Sequence, residues 1–143
     1  MKISIFIDKT REEEIQVYAH GESELLEQIK SLVNDYSSQI NGYKEKEIYP
    51  IKISEIYCFT VENNKVYALT KDDKFLLKER LCNIEKDLSH DFIKINKSCI
   101  ANIKKIERFD AKFSGTLTVK FKNGYFDYVS RRSVKSVKER LGL

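Results

Sequence analysis

Apolar residues in this chain recur with two different periods, and the changes of period mark out its elements. Residues 1–7, MKISIFI, alternate with Ile3, Ile5 and Ile7 on one face and read as a strand. Residues 15–20 alternate again through Ile15, Val17 and Ala19. The charged stretch 8–14 between them predicts a hairpin, and Gly21 ends it. Over residues 23–36, Leu25, Ile29, Leu32 and Val33 fall at i, i+4, i+7 and i+8, the stripe of an amphipathic helix with Ser23 as its N-cap. The polar run 37–46, SSQINGYKEK, then reads as a linker.

Beyond residue 46 short strands follow at regular intervals. Residues 47–53 form one, placed at a sheet edge by Pro50, which has no amide to donate. Residues 56–61 and 65–70 are joined by Glu62-Asn63-Asn64, a turn because Asn tolerates the left-handed backbone of a tight hairpin. Asp72-Asp73 turns the chain into 74–77, and Leu77, Leu81, Ile84 and Leu88 predict a short helix over 78–88. Residues 92–106, FIKINKSCIANIKKI, start with period 2 and end with period 3, so a strand should finish in a tight or short helical turn. Strands at 106–113 and 116–122 flank a Ser114-Gly115 turn, and Asn123-Gly124 opens a hairpin into 125–129. A helix over 130–141 turns Val134, Val137 and Leu141 inward and Arg131, Arg132, Lys135, Lys138 and Arg140 outward.

At 143 residues one domain with a small appendage is expected, and 41% hydrophobic against 34% charged residues is the balance of a soluble globular protein. No apolar run is long enough to span a membrane and no signal-peptide pattern opens the chain, which predicts a cytoplasmic protein. Cys58, Cys82 and Cys99 lack metal-site or disulfide spacing and read as buried free thiols. The net charge of +4 conceals an asymmetry: residues 1–90 hold 13 Lys/Arg against 17 Asp/Glu, and residues 91–143 hold 13 against 5. Basic surface confined to one end is the footprint of a polyanion partner.

Chemistry of the enzymatic kind has little support. His20 and His90 sit beside turns, no glycine-rich phosphate loop exists among five scattered glycines, and carboxylate runs such as Glu12-Glu13-Glu14 suit a solvated face. No catalytic residue, metal site or cofactor is expected. Three polar sets beside turns or a helix start suit binding instead: Asn63, Asn64 and Lys65; Asn96, Lys97 and Ser98; and Arg131, Arg132 and Lys135. Arg can grip guanine with two hydrogen bonds, Asn can do the same for adenine, and Lys and Ser suit phosphates or bases. Cations are unfavourable at a helix N-terminus unless an anion accompanies them, which makes Arg131-Arg132 more than a charged helix start.

From about residue 48 to 143 the chain resembles the LytTR DNA-binding domains of bacterial transcription regulators, through FIKINKSCIANIKKI, KFKNGYFDYVS and VSRRSVKSVKERLGL. The resemblance implies a mostly β, elongated antiparallel fold with short helices that reads the major groove through loops. It implies that Asn63-Asn64, Lys97 and Arg132 are the base-reading positions. Asn96-Lys97 stands where many relatives have His or Arg before the Ser, which would change the preferred bases. It also implies double-stranded DNA as partner, bound at tandem half-sites, with residues 43–143 as the DNA-binding domain. Residues 1–42, a β-hairpin plus helix, take the place of a receiver domain and should dock on the main domain or pair with a second chain as a homodimer. The alternative is a non-enzymatic interaction or sensor module whose basic face meets an acidic protein. RNA reading lacks an exposed aromatic platform.

Overall fold

The computed structural model describes residues 2–11, 14–111 and 115–142. Its order is α1 (Glu24–Ser37), β1 (Gln39–Lys44), β2 (Glu47–Lys52), β3 (Cys58–Glu62), β4 (Lys65–Leu69), β5 (Lys74–Leu77), α2 (Leu81–Asp87), β6 (Phe92–Asn96), β7 (Cys99–Asn102), β8 (Ile106–Ala111), β9 (Leu117–Phe121), β10 (Phe126–Val129) and α3 (Arg131–Leu141). Single 3-10 turns precede β3 and β8. Seven strands form one sheet in the order β2-β1-β5-β4-β3-β7-β6, and β10-β9-β8 form a second, with every pairing antiparallel. The architecture is mostly antiparallel β with three short helices, as the strand-rich pattern predicts.

Alternation along the central strands divides their side chains between two cores. Phe59, Ala68, Phe92 and Ile100 face α2, where Leu81 and Ile84 cover them. Cys58, Leu69, Ile93, Ile95, Cys99 and Ala101 face the other way, onto Val119 and Phe121 of β9, Val129 and Val137 of α3. The larger sheet is therefore the middle layer of a sandwich. Cys58 and Cys99 are buried thiols, whereas Cys82 is exposed, because only Leu81 and Ile84 of α2 face the sheet. The Cys99 proton is held well above the usual thiol range, first by the Cys58 thiol beside it and then by burial.

Two expectations fail in the first 46 residues. The run expected to be a linker is β1, paired residue for residue with β2 from Gln39↔Lys52 to Lys44↔Glu47. Its turn, Glu45-Lys46, has positive φ at both residues without Asn or Gly to signal it. Gly42 is required by packing: a Cβ there would lie 2.4 Å from Ile51 Cδ1 and 2.6 Å from Phe75 Cβ. A boundary between residues 42 and 43 would cut this strand. The hairpin expected over 1–20 is also missing, since the described residues from 2 to 22 form neither strand nor helix. Among the described residues no strand pairs with them, and alternation alone does not supply one.

The helix after Ser23 does form, with Ser23 Oγ accepting from Leu26 N at 3.3 Å. Its half-buried side is Leu26, Ile29 and Val33, while Leu25 and Leu32 are exposed. Elsewhere the expected strands hold to within a few residues, with β2 at the edge that Pro50 requires. The 78–88 helix is shorter, at Leu81–Asp87. Phe113 and Ser114, at the end of one expected strand and in the next turn, lie outside the described residues, as do Glu12 and Glu13.

Candidate nucleic-acid interface

Two turns and the start of α3 carry the polar sets singled out in the sequence, and hydrogen bonds fasten them into one end of the molecule. The β3–β4 turn holds Asn63 and Asn64 with φ of 50° and 63°, the left-handed pair that a two-residue hairpin needs. Beside it, Val61 N donates to Ser98 O at 2.8 Å, locking the β6–β7 turn to β3. On the other flank Ser130 N donates to Ile95 O at 2.8 Å, which seats the start of α3 against β6. The Arg140 guanidinium donates to His90 O and ties the far end of α3 to the approach to β6.

Asn96 departs from its expected role. It is only 2% exposed, so it cannot reach a ligand. Its Nδ2 donates to Asp127 Oδ1 at 3.0 Å and to Tyr128 O at 2.8 Å, while its Oδ1 accepts from Ser98 N at 2.8 Å. One amide thus uses both donors and its acceptor to join the β6–β7 turn to the strand leading into α3. Asp127 is itself held by Tyr128 N at 2.8 Å and the Tyr125 hydroxyl at 3.1 Å. Sequence alone could not separate this asparagine from a surface one, because the hydrogen-bonding groups are the same in either place.

The remaining residues point outward: Asn63, Asn64, Lys65, Lys97, Ser98, Arg131, Arg132 and Lys135 are all exposed. Among the described residues none of the five cations in this set has an acidic partner, although Lys30, Lys44, Lys74, Lys94, Lys104, Lys120, Arg11 and Arg108 do. Glu62, the acid nearest the β3–β4 turn, is occupied by Lys74 at 2.5 Å. No side chain caps the α3 N-terminus, as Ser130 Oγ turns to Ser133 Oγ at 3.0 Å. The result is a row of unpaired cations and amide side chains on a rigid frame, with the positive end of a helix dipole behind part of it. Such a surface favours a repeating anion with hydrogen-bonding groups between its charges.

Residues 46–142 match the model of the LytTr DNA-binding domain family. The chain belongs to this family. Two proteins of Staphylococcus aureus, from strains MSSA476 and MW2, are each 38% identical to it over 100% of this chain and 99% of their own length. Both are described as uncharacterized HTH-type transcriptional regulators. A solved LytTr DNA-binding domain from Bacillus cereus superposes with a TM-score of 0.70 at 19% identity, covering 75% of this chain and 99% of that one, and so shares its fold. The helix-turn-helix of the relatives' names does not describe the architecture here, since five strands separate α2 from α3. Among the described residues no helix is long and apolar enough to cross a membrane, and no group of His, Cys, Asp and Glu could hold a metal ion.

Proposed function

We propose that this LytTr chain is a sequence-specific, non-enzymatic transcription regulator that reads duplex DNA in the cytoplasm through the two joined turns and the start of α3. The observation that carries this reading is the convergence of five unpaired cations with two exposed asparagine-bearing or serine-bearing turns on one braced end. Asn64, Lys97 and Arg132 meet base edges in the major groove, and Lys65, Ser98, Arg131 and Lys135 hold phosphates. Asn63 shapes its turn and Asn96 acts from behind. One module offers few base contacts, so two copies occupy two similar half-sites in tandem. The 38% identical relatives named as transcriptional regulators support the same reading.

A salt series tests it. Affinity for mixed-sequence duplex should fall steeply with salt, with a log–log slope of about −0.9 for each phosphate neutralised. Selection from a random duplex pool should then return one preferred sequence. A shallow slope and no selected sequence would sink the proposal in favour of an acidic protein as the partner of this face.

A further inference from the structure

Outside the DNA-reading end, the largest unexplained feature is the apolar surface of residues 2–22. Phe6, Ile7 and Tyr18 are 90, 89 and 91% exposed, Ile3 and Ile5 just over 80%, and Ile15 67%. Ile3, Ile5 and Ile7, and then Ile15 and Val17, keep the alternation of strands without being in one, with Phe6 and Tyr18 falling out of step with them. Next to them an open groove of about 580 Å³ runs between Ile15, Val17, Leu26, Ile29 and Val33 and the Leu88 that precedes β6.

We infer that this surface is the interface with a second copy of the same chain, in which the alternating segments near residues 3–7 and 15–19 of both copies pair as one sheet over the two α1 helices. This deepens the reading that two copies act together, and rests on it.

Four observations favour that occupant. A lone two-stranded hairpin is marginal in water, and at least three strands with a shared apolar face are needed; two copies supply four. The larger sheet offers no good edge: β2 carries Pro50, and the outer side of β6 is taken at Ile95 by Ser130 N. A standard interface draws roughly 20–30 residues and about 800 Å² from each partner, which a segment of this length matches. Residues 1–42 hold 4 Lys/Arg against 8 Asp/Glu, a net −4 that turns them away from DNA. Identical surfaces meeting about a two-fold axis close on themselves, which limits assembly to a pair.

Sedimentation velocity on the full chain decides the matter, run over about two decades of micromolar concentration. Wild type should pass from 16.8 kDa to twice that mass. Ile5→Asp/Val17→Asp should stay at the single-chain mass, weakened by about 100-fold or more because each paired strand would bury a carboxylate. Ile48→Asp, on the exposed edge strand β2, should pair like wild type. A wild type of single-chain mass throughout, a double variant that still pairs, or Ile48→Asp abolishing pairing would each overturn the inference. Hydrogen exchange gives a second reading without mutation. Amides of residues 3–7 and 15–19 should be protected at the high concentration and exchange freely at the low one; protection independent of concentration would mean the segment folds within one chain. The double variant should bind mixed-sequence duplex as a single wild-type chain does. If neither binds, the DNA reading fails while the mass measurement still stands.

Discussion

Residues 2–22 and residues 92–102 begin with the same sequence signal and end in different states. The first stretch alternates more cleanly, yet its described residues form no strand. The second alternates only in part, because β7 is buried at all four positions, yet it forms two strands of the main sheet. The difference lies in what waits on either side. β7 runs between β3 and β6, so both its edges are hydrogen-bonded. Among the described residues no strand pairs with 2–11 or 14–22. Alternation specifies which faces a strand would have, while pairing decides whether the strand exists.

The largest effect expected from this contrast is on stability. Phe121→Ala removes a fully buried ring and should cost about 3–5 kcal/mol in urea unfolding. Phe6→Ala, studied dilute enough to keep single chains, should change stability by less than about 0.5 kcal/mol. Equal losses would break the comparison by showing that the first segment packs in cis. Next in size is Asn96→Asp, which puts a second carboxylate against Asp127 and removes two donors from a buried site, for about 3 kcal/mol. Asp8→Asn, on an exposed turn closed by Thr10, should leave the urea midpoint unchanged.

The turns at the reading end share the exposure of the first segment and the bracing of the core, so they sharpen the contrast. Arg132→Ala should leave stability unchanged and lose about 1–3 kcal/mol on the preferred duplex, flattening discrimination at one base. Arg132→Lys should rescue little, since a point charge cannot replace a two-pronged fork. Lys135→Ala should weaken all sequences alike and lower the salt slope by about one counterion. An unchanged ratio of specific to non-specific affinity in Arg132→Ala would reassign that residue to a phosphate.

A pH dependence at the brace extends the contrast. Burial, and then the Asp127 carboxylate, push the Tyr125 phenol far above its ordinary value of 10. The unfolded chain releases this proton above about pH 10 while the folded chain keeps it, so stability falls as pH rises. Cys99, also pushed up, extends the decline down toward its ordinary value of 9. Tyr125→Phe should flatten the part above pH 10 and cost about 1 kcal/mol at neutral pH through the lost bond to Asp127. An unaltered alkaline slope in that variant would assign the decline to other groups.

Much of this frame is legible in the residues themselves. Asn63-Asn64 announces a left-handed turn, Pro50 an edge, and the Val134, Val137 and Leu141 spacing a helix with its cations outward. Other parts leave no local mark. β1 is polar and its glycine serves close packing, so it reads as a linker. β7, buried on both faces, has no alternation to detect. Asn96 carries the same groups whether it faces water or a neighbouring strand. Its role becomes visible only when residues 31 and 32 positions away arrive beside it.

The bond from Val61 N to Ser98 O has a metric consequence. Because β3 and β7 are direct neighbours, the β3–β4 and β6–β7 hairpins stand side by side, with their centres two strand spacings apart, roughly 10 Å. Successive bases along a DNA strand are about 3.4 Å apart. If the two turns read bases as proposed, the sheet sets an interval of about three bases between them. On that proposal, substitutions at Asn64 or Lys97 would change which bases are preferred, while the interval, set by backbone hydrogen bonds, would stay the same. Inserting one base pair between the two read positions of a selected site should abolish recognition in wild type and in every tip variant alike.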